Sequence, residues 1–109
     1  MGDDKAKLLQ GTLDVLILKA LQGGPRHGYA LSNWIRETTG GVFDLEDGAL
    51  YTALHRMEKR KWLSAEWGVS ETNRRVKTYN LTSEGQEQLE LRSDIWNEYA
   101  GAVAKVLQS

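Results

Sequence analysis

Apolar residues in the first half of the chain recur at every third or fourth position, which is the spacing of an amphipathic helix. The repeat occurs in three segments, separated by Gly23-Gly24, by Gly40-Gly41 and by the acidic stretch 44–47. Glycine commonly ends helices, and acidic side chains suit the positive N-terminal end of the helix that follows. The pattern therefore predicts three helices, over residues 13–22, 28–39 and 47–61.

The period changes from helical spacing to strict alternation after residue 62. Leu63, Ala65 and Trp67 alternate with polar residues, and residues 76–81 contain the β-favouring types Val, Thr and Tyr. The turn-forming residues 68–73 lie between these two segments. The sequence therefore predicts a β-hairpin with a six-residue tip.

A last helix is predicted from Thr82 or Ser83, either of which can cap it, to about Leu107. A helix of this length extends beyond a small domain, so its apolar side needs a cover. Pairing with a second copy of the chain is the simplest solution, and folding back onto its own domain is the alternative. The predicted dimerisation residues are Leu89, Ile95, Trp96, Tyr99 and Val103.

Three helices followed by a β-hairpin form the winged helix-turn-helix pattern. The predicted fold class is mainly α with a small β-hairpin, plus one long C-terminal helix. We expect a winged helix-turn-helix DNA-binding domain over residues 1–81 and a C-terminal dimerisation helix over residues 82–109, forming a single compact unit. A chain of 109 residues buries enough surface for one core and no second lobe.

Composition removes several classes of function. The chain has no cysteine, which excludes disulfides, thiolate metal clusters and cysteine nucleophiles. No apolar run approaches the roughly 20 residues that cross a bilayer, and the acidic start of the chain does not resemble a signal peptide. We therefore expect a cytoplasmic protein with no membrane partner.

The formal net charge is only −1, but the charges are segregated along the chain. Residues 48–80 carry seven basic and three acidic side chains, a net of +4, whereas the flanking segments are net negative. A partner that contacts one face responds to local charge, so double-stranded DNA is expected to dock on this middle segment. The alternative is that these charges only solvate the surface.

The third predicted helix has an apolar face and, opposite to it, a polar outer face. Cations can contact guanine or phosphate, a threonine hydroxyl can contact a base edge, and a glycine allows close approach of the backbone. Tyr51 lies between the faces, where its ring can pack on the domain while its hydroxyl reaches a phosphate. The residues predicted on or beside the outer face are Gly48, Thr52, His55, Arg56 and Lys59.

Three more cations, Arg74, Arg75 and Lys77, follow the predicted hairpin turn and are expected to contact phosphates or a minor groove. Cross-strand ion pairs with Glu66 and Glu71 are the alternative. If these three cations and the two on the third helix all contact phosphates, a dimer makes ten contacts. The slope of log K against log[salt] then approaches about −9.

The sequence closely resembles the PadR family of bacterial transcriptional regulators, in its short form with one C-terminal helix. The resemblance runs from Leu9 to about Leu107. The matching residues are Gly11-Thr12-Leu13, Ile17-Leu18, Gly24-Pro25, His27-Gly28-Tyr29, Gly48, Leu50-Tyr51, Leu54-His55-Arg56, Glu58, Glu66-Trp67, Arg74-Arg75, Lys77, Tyr79, Leu81-Thr82 and Gly85.

The resemblance implies a homodimer that represses transcription from palindromic operators, in some short members released by a small aromatic or lipophilic effector at the dimer interface. It suggests an effector pocket in which Trp96 is either a wall or a simple interface residue. Position 49 is Ala where the family usually has Ser or Thr, so a contact carried by that hydroxyl cannot be transferred. Position 52 is Thr where Pro is common, which adds a donor, so a different base preference is expected there. The candidate pocket residues are Leu9, Leu13, Val15 and Trp96.

An enzyme and a protein-binding module are the alternatives to a DNA-binding protein. An enzyme is disfavoured, because the only histidines, His27 and His55, have no metal-ligand spacing and no phosphate loop or nucleophile motif is present. We expect no catalytic residue, no metal and no cofactor, and His27 is expected to cap or pack a helix start. A winged helix used only for protein–protein contact is the alternative, and a flat salt dependence with DNA would distinguish it.

Overall fold

The computed structural model describes residues 12–109, which contain four α-helices and three β-strands. In chain order the elements are α1 (Leu13–Gln22), β1 (Arg26–His27), α2 (Gly28–Thr38), α3 (Asp47–Lys59), β2 (Leu63–Val69), β3 (Arg75–Leu81) and α4 (Ser83–Leu107). The predicted order of three helices, a hairpin and a long last helix is confirmed. The fold is a winged helix-turn-helix with a C-terminal helix.

One hydrophobic core lies between α1, α2, α3 and the sheet. Burial of each large apolar side chain contributes about 1.5–3 kcal/mol, so this core fixes the three helices against one another. Helix α1 is buried on more than one side, as its largely apolar sequence predicts. The largest fully buried side chains are Ile17, Leu18, Leu31, Ile35, Leu50, Leu54, Met57 and Leu63.

The predicted hairpin is formed by β2 and β3, which we call the wing (residues 63–81). The strands pair in antiparallel register from Leu63 opposite Leu81 to Val69 opposite Arg75. Both strands extend further than the alternation pattern predicted, so the tip is residues 70–74. Its backbone is closed by a hydrogen bond of 2.8 Å from the Ser70 N–H to the Arg74 carbonyl.

A third strand was not predicted. Arg26 and His27 form β1, which pairs with Thr78 and Tyr79, so β3 is the central strand of a sheet in the order β1-β3-β2. Two residues are too few to show alternation, so this strand has no periodic signal in the sequence. Its consequence is that the start of α2 is hydrogen-bonded to the base of the wing.

Helix α2 ends at Thr38, one residue earlier than predicted, and is followed by the expected glycines. Gly40 and Gly41 have φ angles of 62° and 85°, in the left-handed region that glycine adopts without strain. The Gly41 N–H reaches back to the Arg36 carbonyl at 2.8 Å. This is the glycine-based helix end that the sequence indicated.

Helix α3 ends at Lys59, two residues before the predicted end. The chain turns at Lys61, whose φ is 65° although it is not glycine. Hydrogen bonds run from the Trp62 N–H to the Met57 carbonyl at 3.1 Å and from the Lys61 N–H to the Glu58 carbonyl at 2.9 Å. This Schellman arrangement closes the helix with a residue that no sequence rule would select.

Helix α4 begins where predicted, with Thr82 as its cap. The Thr82 hydroxyl accepts a hydrogen bond from the Gly85 N–H at 3.0 Å and donates toward the Lys61 and Trp62 carbonyls, at 2.7 and 2.9 Å. Gly85 packs directly on the Trp62 carbonyl, since a Cβ there would lie 2.1 Å from the oxygen. The start of α4 is thereby fixed to the end of α3.

The prediction that Leu89 contributes to a dimer interface is wrong. Leu89 is 3% exposed and belongs to the core of its own domain, so it offers no surface to a partner. Seven-residue spacing cannot distinguish a contact with the same domain from a contact with a second copy. Helix α4 therefore folds back onto its own domain over its first two turns.

Beyond Leu89 no residue of α4 is buried, and the described residues span 55 × 32 × 21 Å. Large apolar side chains on this part of α4 are exposed, with Ile95 and Trp96 at 44% and 46% and Val103 at 55%. Within residues 12–109, no helix has the length and apolar character required to cross a membrane.

Candidate nucleic-acid interface

Helix α3 presents the polar outer face that the sequence predicted. The opposite face is buried, with Leu50 and Leu54 at 1% and 0% exposure, which fixes the rotation of the helix about its axis. This rotation directs a continuous strip of polar side chains to solvent. Its exposed members, which we call the outer face, are Gly48, Thr52, His55 and Lys59.

Tyr51 lies at the edge of the outer face, as predicted. Its ring packs on the first turn of α2, because a Cβ at Gly28 would lie 2.5 Å from the Tyr51 hydroxyl oxygen. Only glycine leaves room for the tyrosine at this point. The side chain is nevertheless 47% exposed and remains accessible to a ligand.

Arg56 does not join the outer face. Its guanidinium is hydrogen-bonded to the carboxylate of Asp14 on α1, and the ion pair joins α1 to α3. The Asp14 side chain is 12% exposed and that of Arg56 is 41% exposed, so this pair is only partly solvated. Sequence reasoning missed the partner, although an acidic residue that lies between apolar neighbours at the start of a mainly apolar helix is a signal of such pairing.

Arg74 and Arg75 are exposed on the wing, as predicted. The guanidinium of Arg75 lies 4.5 Å from the centre of the Trp67 ring. Within residues 12–109, neither arginine forms an ion pair with Glu66 or Glu71, the alternative considered from the sequence. Neither charge is therefore neutralised by these two carboxylates.

Lys77 is the cation of the wing that is already paired. Its ammonium group donates a hydrogen bond of 2.9 Å to the Glu58 carboxylate on α3, and the pKa of Lys77 is raised by this bond. The ammonium also lies 5.4 Å from the ring of Tyr79, whose pKa is raised by burial. Lys77 thus connects the wing to α3.

A cleft of about 460 Å³ separates the start of α2, the edge of α3 and the wing. We call it the wing cleft. It brings together side chains from three elements that are far apart in sequence, and its wall combines aromatic rings with two cations. These side chains are His27, Tyr29, Tyr51, Trp67, Tyr79, Arg75 and Lys77.

His27 has the capping role expected for it. Its Nδ1 accepts a hydrogen bond from the Ala30 N–H at 3.3 Å, and its ring stacks near that of Tyr29. Over residues 12–109, no group of three or more histidine, aspartate or glutamate side chains is arranged to hold a metal ion.

A second concave surface, an apolar groove of about 630 Å³, lies between the start of α1 and the exposed part of α4. Two of the four predicted pocket residues, Val15 and Trp96, line it. Leu13 instead packs against the core, and Leu9 lies outside the described residues. Helix α4 supplies most of the wall, and the residues that do so are Arg92, Ile95, Trp96, Tyr99, Ala100, Val103, Ala104 and Leu107.

Comparison with known proteins identifies relatives over most of the chain. A family model described as the Transcriptional regulator PadR-like family matches residues 17–91. A protein of Lysinibacillus sphaericus, described as uncharacterized, is 32% identical over 96 residues, which cover 88% of this chain and 85% of the relative.

Solved structures match both the winged domain and the last helix. A transcriptional regulator from Clostridium thermocellum superposes with a TM-score of 0.83 at 28% identity, over 91% of this chain and 96% of its own. A PadR family transcription regulator from Clostridium difficile has a TM-score of 0.76 at 31% identity, over 87% and 97% of the two chains. A PadR-like regulator from Bacillus cereus has a TM-score of 0.81 at 28% identity, over 94% and 98%.

Proposed function

The chain belongs to the PadR-like family of transcriptional regulators, and we propose that it binds DNA sequence-specifically, as a homodimeric repressor in the bacterial cytoplasm. The observation that carries this proposal is the placement of two polar elements beside one cleft. The outer face of α3 borders the wing cleft through Tyr51, and the wing borders it through Arg75. A duplex that fills the cleft with its backbone can contact both elements.

In this proposal α3 enters the major groove and the wing contacts the adjacent backbone. Thr52 and His55 supply hydrogen-bonding groups for base edges, and Lys59 supplies a cation for guanine or phosphate. Gly48 allows the start of the helix to approach the DNA closely. Arg74 and Arg75 contact phosphates, which position the protein without reading sequence.

We propose that the exposed part of α4 pairs with the same part of a second copy. Ile95, Trp96, Tyr99 and Val103 are apolar or aromatic side chains that the described chain leaves exposed. A symmetric pairing places two copies of α3 about a two-fold axis, which a palindromic operator matches. Half-sites about 34 Å apart then fit one turn of the duplex.

The groove between α1 and α4 is the proposed effector site. It borders the same part of α4 that the proposed dimer uses, and its side chains are mainly apolar and aromatic. A small lipophilic or aromatic compound bound there would act on the relative position of the two copies, and thus on DNA affinity. Trp96 lines this groove and is the residue whose fluorescence would report such binding.

Selection of duplexes from a random pool by the purified protein, followed by sequencing, tests the proposal directly. We expect an enriched palindrome, whose affinity falls steeply as salt rises. Thr52→Ala is expected to change the preference at one base pair of each half-site. Arg74→Met, as its matched control, is expected to weaken binding to all duplexes alike.

Enrichment of no sequence, with weak binding that salt hardly changes, would contradict the proposal. That result would favour a winged helix that contacts only other proteins. A uniform loss for Thr52→Ala over all operator variants would remove this residue from base recognition.

A further inference from the structure

Trp67 is exposed, although it lies on the face of the wing that packs into the core at the base of the hairpin. Side chains alternate between the two faces of a strand, so Trp67 shares a face with Leu63, which is 2% exposed in the core. The register puts Lys77 opposite Trp67 on the same face, and Arg75 one step further toward the tip. This face is core at the base of the wing and reaches beyond the domain at Trp67, which is 59% exposed.

The groups that lie against the Trp67 ring are cationic rather than apolar. The Arg75 guanidinium lies 4.5 Å from its ring centre and the Lys77 ammonium lies 5.9 Å from it. The two cations differ in what else they do. Lys77 is hydrogen-bonded to Glu58, whereas Arg75 forms no side-chain hydrogen bond or ion pair within residues 12–109.

A guanidinium that stacks on an aromatic ring uses its face, and the N–H groups around its edge stay available. A phosphate oxygen can therefore bind the edge of Arg75 while the stack on Trp67 persists. Both side chains line the wing cleft, where Tyr51 from α3 is also found. The stack keeps a flexible arginine at the wall of the cleft before any DNA is present.

We propose that Trp67 is a positioning residue for DNA binding, which acts by holding the guanidinium of Arg75 at the wing cleft for a backbone phosphate. This inference rests on the proposed function. A pre-ordered arginine loses less side-chain freedom on binding than a free one, so the stack raises affinity without adding a contact to DNA.

The expected gain in affinity for the operator is modest for one protomer and larger for a dimer. An exposed cation–π contact is worth about a two- to fivefold change in an equilibrium constant. In the proposed homodimer the stack occurs twice, so Trp67→Leu is expected to weaken operator binding about five- to 30-fold. The slope of log K against log[salt] is expected to stay at the wild-type value, because no phosphate contact is removed.

A double-mutant cycle with the selected operator tests the proposal. Trp67→Leu, Arg75→Met and the double variant are compared by titration at several salt concentrations, with Trp67→Phe as the conservative variant. Trp67→Leu is expected to have almost no effect once Arg75 is Met. In the matched cycle with Arg74→Met, Trp67→Leu is expected to retain its full effect, because Arg74 has no ring contact within residues 12–109.

An NMR measurement on the free protein follows the stack without DNA. The side-chain methylene protons of Arg75 are expected to resonate upfield because of the indole ring, to return to ordinary positions in Trp67→Leu, and to remain shifted in Trp67→Phe. Circular dichroism and the thermal midpoint establish that each variant is folded. If Trp67→Leu fails to fold, the cycle is run with Trp67→Thr, which suits a strand but has no ring.

Each result of these experiments decides between the alternatives. Equal losses from Trp67→Leu in the wild-type and Arg75→Met backgrounds would overturn the inference, since Trp67 would then act without Arg75. Ordinary Arg75 shifts in the free wild-type protein would overturn it too. Failure of the wild-type chain to bind any duplex would instead refute the proposed function, and with it the role of Trp67, even with the NMR shifts present.

Discussion

The ammonium of Lys77 on the wing lies 2.9 Å from the Glu58 carboxylate on α3. Together with the pair between Arg56 and Asp14, this contact engages two of the five cations that the sequence assigned to DNA. Both pairs join one structural element to another. Each of these two cations is therefore a structural connection as well as a positive charge.

The first prediction concerns the salt dependence of operator binding. If only Lys59, Arg74 and Arg75 contact phosphates, a dimer makes six contacts, and at about 0.9 each the slope of log K against log[salt] is near −5.4. This is well short of the value of about −9 expected if all five cations take part. Titrations over a range of salt concentrations measure the slope.

Two single variants provide the control for this measurement. Arg74→Met is expected to flatten the slope by about 1.8 for a dimer, whereas Lys77→Met leaves it unchanged. A slope that Lys77→Met flattens as much as Arg74→Met does would show that Lys77 leaves Glu58 for the DNA.

The second prediction separates dimerisation from folding on α4. Val103 is 55% exposed and Leu89 is 3% exposed, although the two lie two heptads apart. Val103→Asp is expected to give a folded monomer, because it introduces a charge only into the proposed interface. Leu89→Ala is expected to lower the free energy of unfolding by about 2–5 kcal/mol through a core cavity.

Analytical ultracentrifugation and urea unfolding distinguish these two effects. Val103→Asp is expected to change the mass in solution, whereas Leu89→Ala is expected to change the free energy of unfolding. An unchanged dimer of Val103→Asp at micromolar concentration would place the interface elsewhere.

The third prediction concerns two glycines of α4. Gly85→Ala is expected to destabilise the fold by about 2–3 kcal/mol, since its Cβ would lie 2.1 Å from the Trp62 carbonyl oxygen and one of the two must move. Gly101 has nothing within 4 Å of such a Cβ, so Gly101→Ala is expected to stabilise the helix by up to about 1 kcal/mol. Thermal and urea unfolding measure both changes, and equal effects would contradict the packing described for Gly85.

The fourth prediction is a loss of stability in alkali. The pKa of Tyr79 is raised by burial and that of Lys77 by its hydrogen bond to Glu58, so the folded chain keeps both protons at a pH where the unfolded chain loses them. The folded state then binds more protons than the unfolded state, and the free energy of unfolding falls as pH rises above about 10. Below that pH the contribution of these two groups to the free energy of unfolding is fully present.

Urea unfolding between pH 8 and pH 11 measures this dependence, and Tyr79→Phe removes one of the two groups while keeping the ring. A smaller decline is expected for Tyr79→Phe. A decline parallel to that of the wild type would mean that Tyr79 does not contribute.

Elements with a clear period could be predicted from the sequence, and elements without one could not. The buried face of α3 follows from the spacing of Leu50 and Leu54, and so does the exposure of Thr52 opposite to them. Strand β1 has two residues and thus no period. The predicted and observed ends of α3 differ because Lys61 adopts a left-handed φ, for which sequence rules expect glycine.

In the candidate site, the sequence predicts the direction of a side chain but does not predict its partner. A helical wheel gives the direction in which the Arg56 side chain projects from α3, but it does not show that this side chain pairs with Asp14 on α1. The position of Leu89 in a heptad was correct, yet its partner is its own domain rather than a second copy. The alternation pattern predicts that Trp67 is in a strand, but only the register of the hairpin places Arg75 beside it.

The central position of β3 has a consequence for protein engineering. At the base of the wing this strand has a neighbour on each side, whereas the tip, residues 70–74, is joined only to the two strands that it connects. Exposed loop tips of this kind tolerate insertion and exchange. The tip is therefore a suitable site for insertion. Longer or more basic segments can be introduced there to change the affinity for DNA, while the rest of the fold is left unaltered.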